Sequence, residues 1–199
     1  MKSITPIGHF RKYANNLSSL FVDFDWAPVE ELAFELFDCW KSGRQVFLAG
    51  NGGSAGNANH VANDFLYPIS KTLGSGIRAH ALSMNPSILT CLANDEGYDH
   101  IFSFQLAAFA RKSDILMVFS GSGNSANIVQ VLKEAKVRGV KTFAIVGFDG
   151  GHAKNLADVV IHLPINDMQI AEDAQMIISH MIVQWLFEQR TNVPSAQEI

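Results

Sequence analysis

The sequence predicts an α/β protein with a doubly wound, five-stranded parallel sheet flanked by helices. Three observations support this fold class: five short apolar runs recur along the chain, amphipathic stretches separate most of them, and a Ser/Gly-rich turn follows two of them. Such runs are typical of parallel strands that helices cover on both faces. The 199 residues suit one domain. It would comprise N-terminal helices over residues 1–43, a core over residues 44–190 and a loose tail over residues 191–199.

Two helices are expected before the first strand, over residues 10–21 and 28–42. In the second, Val29, Leu32 and Leu36 recur at helical spacing and give the helix one apolar face. Each helix can cover a face of the sheet or pack against another subunit.

The five apolar runs give the order of the strands along the chain. They lie at residues 45–49, 77–82, 115–119, 142–146 and 159–163. Between the third and fourth runs, residues 125–138 carry Ile128, Val131 and Leu132 among charged residues, as an amphipathic helix does. The alternation predicts strand–helix–strand units with parallel strands.

A long last helix is expected over residues 170–190. Its centre, MIISHMIVQWLF, is apolar on nearly every side. One sheet can cover only part of such a helix, so the pattern predicts that a neighbouring subunit buries the rest.

Composition limits the partners that the protein is expected to have. The net charge of −4 gives no general attraction to nucleic acid or anionic lipid, and no apolar stretch is long enough for a membrane span. No signal-peptide core follows the N-terminus, so we expect a cytoplasmic protein without nucleic-acid or membrane partners. Cys39 and Cys91 lie far apart in apolar segments, where we expect two buried, unpaired thiols.

The first Ser/Gly-rich turn, GNGGSAG, is called loop 1 (residues 50–56), and it connects the first strand to a helical stretch at residues 58–65. Glycines let backbone N–H groups converge, and a helix N-terminus adds free donors and partial positive charge, so an anion fits here. The candidate ligands are Asn51, Gly52, Gly53 and Ser54. For Asn51, donation to a sugar hydroxyl and bracing of its own loop agree equally well with the sequence.

The second turn, SGSGNS, is called loop 2 (residues 120–125), and it repeats this arrangement after the third strand. Its candidate phosphate ligands are Ser120, Gly121, Ser122 and Ser125. No lysine accompanies them, which favours a phosphate held by neutral donors, although Ser125 also suits a purely structural role as a helix N-cap. Either loop alone agrees equally well with an ordinary turn, but two on one sheet favour a phosphate site at the carboxyl ends of the strands.

Nucleotide binding is the alternative interpretation of the two loops. Residues 50–55 and 121–126 both fit the loose glycine pattern of dinucleotide-binding turns. The acidic ribose partner expected about 20 residues later is missing from the strand at residues 77–82, although Asp149 closes the strand after loop 2. Neither loop carries the lysine of a P-loop, so the pattern favours a sugar phosphate.

Two pairs of side chains suggest metal binding or acid–base chemistry. His60 and Asp64 are four residues apart, which places both on one helix face within reach of one ion, although a surface ion pair has the same spacing. Glu172 and His180 are eight residues apart, about 12 Å along a regular helix, so joint ligation needs an irregular first turn or converging side chains. His180 also agrees with a buried histidine bonded to a carbonyl group.

These segments resemble the SIS (sugar isomerase) superfamily and, within it, the phosphoheptose isomerases. GNGGSAGNANHVANDF, ANDEGYDHIF, SGSGNSANIV, VGFDGG and the last helix correspond to family motifs in order and spacing over most of the chain. Five positions depart from the family pattern. Gly121 replaces a threonine, Asp64 a glutamate and Glu172 a glutamine. Gln169 and Ile170 stand where the family has an aspartate and an arginine.

The resemblance implies a homotetramer with active sites at subunit interfaces, and a zinc ion as in many members. It implies that the zinc ligands are His60, Asp64, Glu172 and His180, with Asp64 and His180 as the catalytic pair and Glu172 also near the substrate. Two histidines and two carboxylates suit zinc. Asp95 corresponds to a family residue at the sugar-binding edge, although Asn-Asp-Glu-Gly also suits a turn.

The sequence therefore predicts a sugar-phosphate isomerase, which the resemblance narrows to conversion of sedoheptulose 7-phosphate to D-glycero-D-manno-heptose 7-phosphate for surface-polysaccharide precursors. Aldose–ketose isomerisation moves a proton between neighbouring carbons through an enediol, and it needs a base, an acid and a stabiliser of negative charge. Asp64 and His180 can supply the base and the acid, although aspartate is one methylene shorter than glutamate. The alternatives are a non-catalytic SIS sugar-phosphate-binding protein and an isomerase of another sugar phosphate.

Overall fold

A five-stranded, all-parallel sheet lies at the centre of the computed structural model, which describes residues 5–71 and 75–193. The strands are β1 (Gln45–Ala49), β2 (Arg78–Ala81), β3 (Ile115–Ser120), β4 (Lys141–Val146) and β5 (Val159–His162). The helices are α1 (Pro6–Ser19), α2 (Ala27–Lys41), α3 (Gly53–Leu66), α4 (Pro86–Asp95), α5 (Ser103–Phe109), α6 (Ala126–Arg138), α7 (Ala153–Leu156) and α8 (Met168–Gln189). The predicted fold class is confirmed, whereas residues 194–199 of the expected loose tail lie outside the described residues.

The strand order, β2-β1-β3-β4-β5, brings the two loops together. β1 pairs with β2 on one side and with β3 on the other, so that Leu48 lies opposite both Ala81 and Met117. The winding of the sheet therefore reverses between β1 and β3. Open parallel sheets bind ligands outside the carboxyl ends of the strands at such a reversal, which is where loops 1 and 2 lie.

Helices cover both faces of the sheet, because side chains alternate between the faces along each strand. On one face, Leu48, Met117 and Ile145 pack with apolar side chains of α2, α3 and α8. On the other face, Leu116 and Val118 pack with α5 and α6. Burial on both faces explains why the central strands are continuous apolar runs in the sequence.

The helix α1 begins at Pro6, earlier than the predicted residue 10. Thr5 is its N-cap residue, and the Thr5 hydroxyl accepts a hydrogen bond from the backbone N–H of Gly8 at 3.2 Å. A capping threonine followed by proline at the first helical position is a start signal that apolar spacing alone does not reveal.

The strand β2 is an edge strand and is shorter than the predicted residues 77–82. Of its four residues only Ala81 is buried, and α4, which follows it, buries none of its ten residues. Cys91 on α4 is consequently exposed, so the prediction of a buried thiol was wrong there, while Cys39 on α2 is buried as predicted. A helix that lies beside the edge strand leaves much of its surface to solvent.

The helix α8 is the long last helix that the sequence predicts. The Asp167 carboxylate caps it by accepting hydrogen bonds from the backbone N–H groups of Gln169 and Ile170 at 3.1 and 3.2 Å. The side of α8 that faces the sheet is buried, whereas Met181 and Phe187 remain 45% and 37% exposed. Their burial by a second subunit stays a prediction. Within the described ranges, no helix has both the length and the apolarity needed to cross a membrane.

Candidate functional site

Loop 1 passes directly into helix α3, which begins at Gly53 rather than near the predicted residue 58. The side-chain amide of Asn51 is held from outside the loop. Its Nδ2 donates to Asn127 Oδ1 at 2.8 Å, and Asn127 Nδ2 donates back to Asn51 Oδ1 at 2.9 Å. The Tyr98 hydroxyl donates to the same Asn51 oxygen at 3.0 Å. These contacts brace Asn51, which is one of the two roles that the sequence left open, and they leave one N–H of its amide for the other role.

The hydroxyl of Ser54 faces the protein interior and not the open side of loop 1. Ser54 is 3% exposed, and its Oγ donates to Gln175 Oε1 on α8 at 3.3 Å. Asn57 Nδ2 donates to the same Gln175 oxygen at 3.1 Å and to the Glu172 carbonyl at 2.9 Å. The predicted phosphate contact by Ser54 Oγ would require this hydroxyl to leave Gln175.

The carboxylate of Glu172 lies against Gly53, the first residue of α3. A Cβ atom at residue 53 would lie 2.2 Å from Glu172 Oε2, so only glycine leaves room for this contact. A helix N-terminus carries partial positive charge, which favours a carboxylate at this position. A negative group of the protein thus already stands beside the part of loop 1 where an anion was expected.

Loop 2 leaves its donors free to a greater extent. Ser120 Oγ accepts a hydrogen bond from Gly123 N at 3.0 Å, and Ser122 Oγ accepts one from Asn124 N at 3.2 Å, so each hydroxyl keeps its own proton for donation. Ser125 is the N-cap residue of α6 and makes no capping hydrogen bond through its side chain within the described chain. The first N–H groups of α6 and these hydroxyls together suit an anion.

The side chain of Met168 covers Gly121 in loop 2. A Cβ atom at residue 121 would lie 2.3 Å from Met168 Sδ and 3.5 Å from Phe148 Cε2. Met168 is the first residue of α8 and is 39% exposed. The thioether therefore occupies the space that a threonine at residue 121 would need.

The side chains of His60, Asp64 and His180 meet between α3 and α8. His60 Nε2 and His180 Nε2 lie 3.3 and 3.6 Å from Asp64 Oδ2, and the two nitrogens are 3.1 Å apart. Asp64 is 9% exposed, whereas the side chains of the two histidines are 52% and 48% exposed. The spacing of His60 and Asp64 brings them together as predicted, and His180 is half-exposed rather than buried.

The distances within this group suit a tetrahedral metal ion. Zinc ligands at about 2.0–2.1 Å from the metal lie about 3.3 Å from one another, and the three measured distances of 3.1, 3.3 and 3.6 Å lie around that value. Two imidazoles and a carboxylate are ligands that zinc prefers, and three protein ligands leave a fourth position open. The donor set therefore fits a catalytic zinc site.

Glu172 does not join this group of candidate ligands. Among the described residues, the donor atoms that lie within 4.8 Å of one another belong to His60, Asp64 and His180. Joint ligation by Glu172 and His180 required an irregular first turn or converging side chains, but α8 is continuous from Met168 and the Glu172 carboxylate lies against Gly53. Because its carboxylate contacts Gly53, Glu172 does not lie at the predicted fourth ligand position.

A cavity of about 410 Å³ opens beside loop 1, between that loop and α4. Its polar lining includes Asn59, Ser83, Thr90 and Tyr98, together with the backbone of loop 1. Its size suits a small polar ligand that reaches from the loop toward α4.

The predicted sugar-edge residue, Asp95, is the last residue of α4 and is exposed. Its carboxylate accepts hydrogen bonds from Asn94 Nδ2 at 2.7 Å and from Cys91 Sγ at 3.5 Å. The second bond raises the pKa of the Cys91 thiol, because the carboxylate favours the protonated form. Asp95 thus ends a helix and does not form the turn that the sequence also allowed.

Three residues with central contacts were missed from the sequence, namely Asn127, Tyr98 and Gln175. Asn127 and Gln175 are 1% and 0% exposed on otherwise apolar helix faces. Buried amides are nearly always hydrogen-bonded, so a polar residue at an apolar position was the available signal. Tyr98 is 58% exposed and gave no such signal.

Comparison with known proteins identifies one group by sequence. A family model described as the SIS domain matches residues 9–147. The phosphoheptose isomerase of Aliarcobacter butzleri is 38% identical over 157 residues, which cover 79% of this chain and 82% of that protein. The phosphoheptose isomerase of Clostridium acetobutylicum is 35% identical over 154 residues, which cover 77% and 78%.

Solved structures identify the same group by fold. A phosphoheptose isomerase from Neisseria gonorrhoeae superposes with a TM-score of 0.82 at 28% identity and covers 92% of this chain and 96% of its own. One from Francisella tularensis gives a TM-score of 0.83 at 25% identity and covers 93% and 99%. The similarity therefore extends over most of the chain.

Proposed function

The chain belongs to the SIS-domain phosphoheptose isomerase family, and we propose that it converts sedoheptulose 7-phosphate to D-glycero-D-manno-heptose 7-phosphate. The observation that carries this proposal is the convergence of His60, Asp64 and His180 between α3 and α8, with donor atoms within 4.8 Å of one another. A non-catalytic sugar-phosphate-binding protein has no need of this group, so its convergence favours an enzyme.

In this proposal, loop 2 binds the phosphate group. The hydroxyls of Ser120 and Ser122 retain protons to donate, and the N-terminus of α6 adds backbone N–H groups. Glu172 beside Gly53 disfavours a second anion at loop 1. The sugar would then extend from loop 2 past loop 1 toward the histidines.

Asp64 and His180 carry the proton transfers in this proposal. Asp64 removes a proton from C1 of the ketose while His180 donates a proton to the C2 carbonyl oxygen, which gives the enediol. Return of a proton to C2 and loss of the O1 proton then give the aldose. Asp64 has one oxygen near both histidines, while its Oδ1 accepts a hydrogen bond from Asn63 Nδ2 at 3.3 Å, which restricts rotation of the carboxylate.

The residues that would hold a zinc ion are His60, Asp64 and His180. A bound zinc ion would stabilise negative charge developing on the substrate oxygens, and it would do so in place of the His180 proton, because a histidine that gives its Nε2 lone pair to a metal cannot donate a proton from that nitrogen. Zinc content measured after dialysis tests this ligand set. We expect stoichiometric zinc in the wild-type protein and in Glu172→Ala, and its loss in His60→Ala; loss in Glu172→Ala would restore Glu172 as a ligand.

We also propose that the protein is a homotetramer whose active sites lie at subunit interfaces. The half-exposed histidines and the exposed apolar side chains Met181 and Phe187 of α8 agree with cover by a neighbouring subunit. Light scattering coupled to gel filtration measures the assembly, and a monomer at micromolar concentration would contradict it.

Turnover of sedoheptulose 7-phosphate, followed by NMR with zinc-loaded and chelator-treated protein, tests the function. We expect turnover with zinc, its loss in His180→Gln, and no change in the matched control His9→Gln, which alters an exposed histidine of α1. Absence of turnover by the zinc-loaded wild-type protein would falsify the heptose assignment. Faster turnover of a different ketose phosphate would move the assignment to that sugar.

A further inference from the structure

The side chain of Asn127 is buried and exchanges hydrogen bonds with Asn51 of loop 1, and the proposed reaction gives it no role. We propose that Asn127 is a positioning residue which, with Tyr98, holds Asn51 as a hydrogen-bond donor toward the substrate. The inference rests on the proposed function for its kinetic consequence, but the contacts that carry it are independent of the substrate.

The hydrogen bonds of the Asn51 side chain leave it one free donor. A carbonyl oxygen of an amide has two lone pairs, and Asn51 Oδ1 accepts from both Asn127 Nδ2 at 2.9 Å and the Tyr98 hydroxyl at 3.0 Å. An amide nitrogen has two protons, and Asn51 Nδ2 uses one of them toward Asn127 Oδ1 at 2.8 Å. The oxygen is saturated, and one N–H of Asn51 is left to donate.

The partners of the Asn51 amide also determine its orientation. Because Asn127 both donates to Asn51 and accepts from it, turning the Asn51 amide over would bring donor against donor and acceptor against acceptor. Asn127 is 1% exposed, so water does not readily replace either bond. Turning both amides over together would keep the pair, and the Tyr98 hydroxyl, which donates to Asn51 Oδ1 at 3.0 Å, selects the orientation seen here. The spare group of Asn51 is therefore an N–H and not a carbonyl oxygen.

The pair of Asn51 and Asn127 lies between loop 1 and the helix that follows loop 2. Asn127 lies in the first turn of α6, directly after loop 2, and Asn51 lies in loop 1, so their reciprocal bonds join the two loops across the reversal of the sheet. Asn51 and Tyr98 also line the cavity of about 410 Å³ beside loop 1. A ligand there meets a donor whose matching partner is an oxygen with a free lone pair, such as a hydroxyl or carbonyl oxygen of a sugar phosphate.

A double-mutant cycle of Asn51→Ala and Asn127→Ala, measured on kcat/KM, tests this inference. Asn127→Ala in the wild-type background is expected to lower kcat/KM roughly tenfold or more, chiefly through KM, because the half-buried amide of Asn51 loses the partner that orients it. In the Asn51→Ala background the same substitution is expected to change kcat/KM less than about twofold, since its effect acts through Asn51. Tyr98→Phe, which keeps the amide pair, should have a smaller effect than Asn127→Ala.

The control for a merely structural effect is Thr142→Val. Thr142 is 2% exposed and exchanges hydrogen bonds with Asp158 at the opposite end of the sheet, at 2.7 and 2.8 Å. This variant should be less stable to heat but keep its kcat/KM. Additive effects of Asn51→Ala and Asn127→Ala on kcat/KM would overturn the positioning role.

The same cycle, measured on thermal unfolding, separates this inference from the proposed function. If the wild-type protein turns over no sedoheptulose 7-phosphate, the proposed function fails. Non-additive effects on the unfolding temperature would then still support the amide pair, whereas additive effects there would overturn it, whatever the substrate.

Discussion

Loops 1 and 2 have similar sequences and equivalent positions after neighbouring strands, but they differ in what already binds their polar groups. In loop 1, Asn51 pairs with Asn127, and Ser54 donates to Gln175. In loop 2, the hydroxyls of Ser120 and Ser122 act only as acceptors within the described chain. Loop 1 is braced by these bonds and keeps one free N–H, that of Asn51, whereas loop 2 keeps the protons of both hydroxyls for a ligand.

The two loops therefore have different roles in the proposed site. Loop 1 leads into α3, which carries His60 and Asp64, while loop 2 leads into α6, whose N-terminus has free donors. The helix α8 contacts loop 2 through Met168, which lies against Gly121. It contacts α3 through Glu172 at Gly53 and through His180 at His60. We therefore expect substitutions on the α3 side to change kcat and substitutions in loop 2 to change KM.

The largest effect is expected on the α3 side, from Asp64→Asn. Loss of the base should lower kcat on the order of 10²–10⁴-fold with little change in KM, because an amide cannot accept the carbon-bound proton. Initial rates over a range of sedoheptulose 7-phosphate concentrations measure both constants. Asp23→Asn, at an exposed position between α1 and α2, is the matched control. A raised KM with unchanged kcat would contradict the division between the two loops.

The next largest effect is expected in loop 2, from Ser122→Ala, and it is compared with that of Ser54→Ala in loop 1. Hydrogen bonds to a charged group contribute about 1.5–3 kcal/mol, so Ser122→Ala should raise KM roughly 10- to 100-fold. Ser54→Ala removes a bond to Gln175 and should reduce thermal stability with a change in KM of less than about threefold. Equal effects on KM would show that both loops bind the phosphate.

A smaller effect is expected where α8 covers loop 2. Gly121→Thr should destabilise the protein by about 1–3 kcal/mol, because the new side chain overlaps Met168. Combining it with Met168→Ala should recover part of that loss, since the shorter side chain vacates the space. Denaturant unfolding of the two single variants and the double variant measures the coupling, and additive losses would be inconsistent with the contact.

The smallest effect is expected at Tyr13 on α1, which lies outside both loops and serves as a reference for substitutions within them. The Tyr13 hydroxyl on α1 donates to Asp173 Oδ2 on α8 at 2.5 Å, and burial followed by this hydrogen bond raises the pKa of Tyr13 to about 12. The folded protein thus favours the neutral phenol, so the contribution to stability is complete below the ordinary pKa of 10.0 and is lost as pH rises from there to about 12. Tyr13→Phe should remove this pH dependence from the unfolding temperature without altering kcat/KM below pH 9; a variant with the same slope as wild type would disprove the linkage.

The fold and the backbone of the site could be predicted from the sequence, because their signals are local. The runs at residues 45–49 and 115–119 match β1 and most of β3, and the capping serine before α6 is in the predicted place. The spacing of His60 and Asp64 fixed their contact through the pitch of a helix. The exposure of Cys91 was mispredicted, since burial depends on what packs against α4 and not on the apolar content of its sequence.

The partners of the site residues were decided by the tertiary structure. His180 meets His60 across 120 positions of sequence, Ser54 meets Gln175 across 121 and Asn51 meets Asn127 across 76. Periodicity identifies which face of a helix is buried, but the offset and angle at which two helices pack determine which side chains touch. The sequence by itself determined two glycine loops on a parallel sheet, and the packing of α6 and α8 decided that one loop is braced and the other has donors to spare.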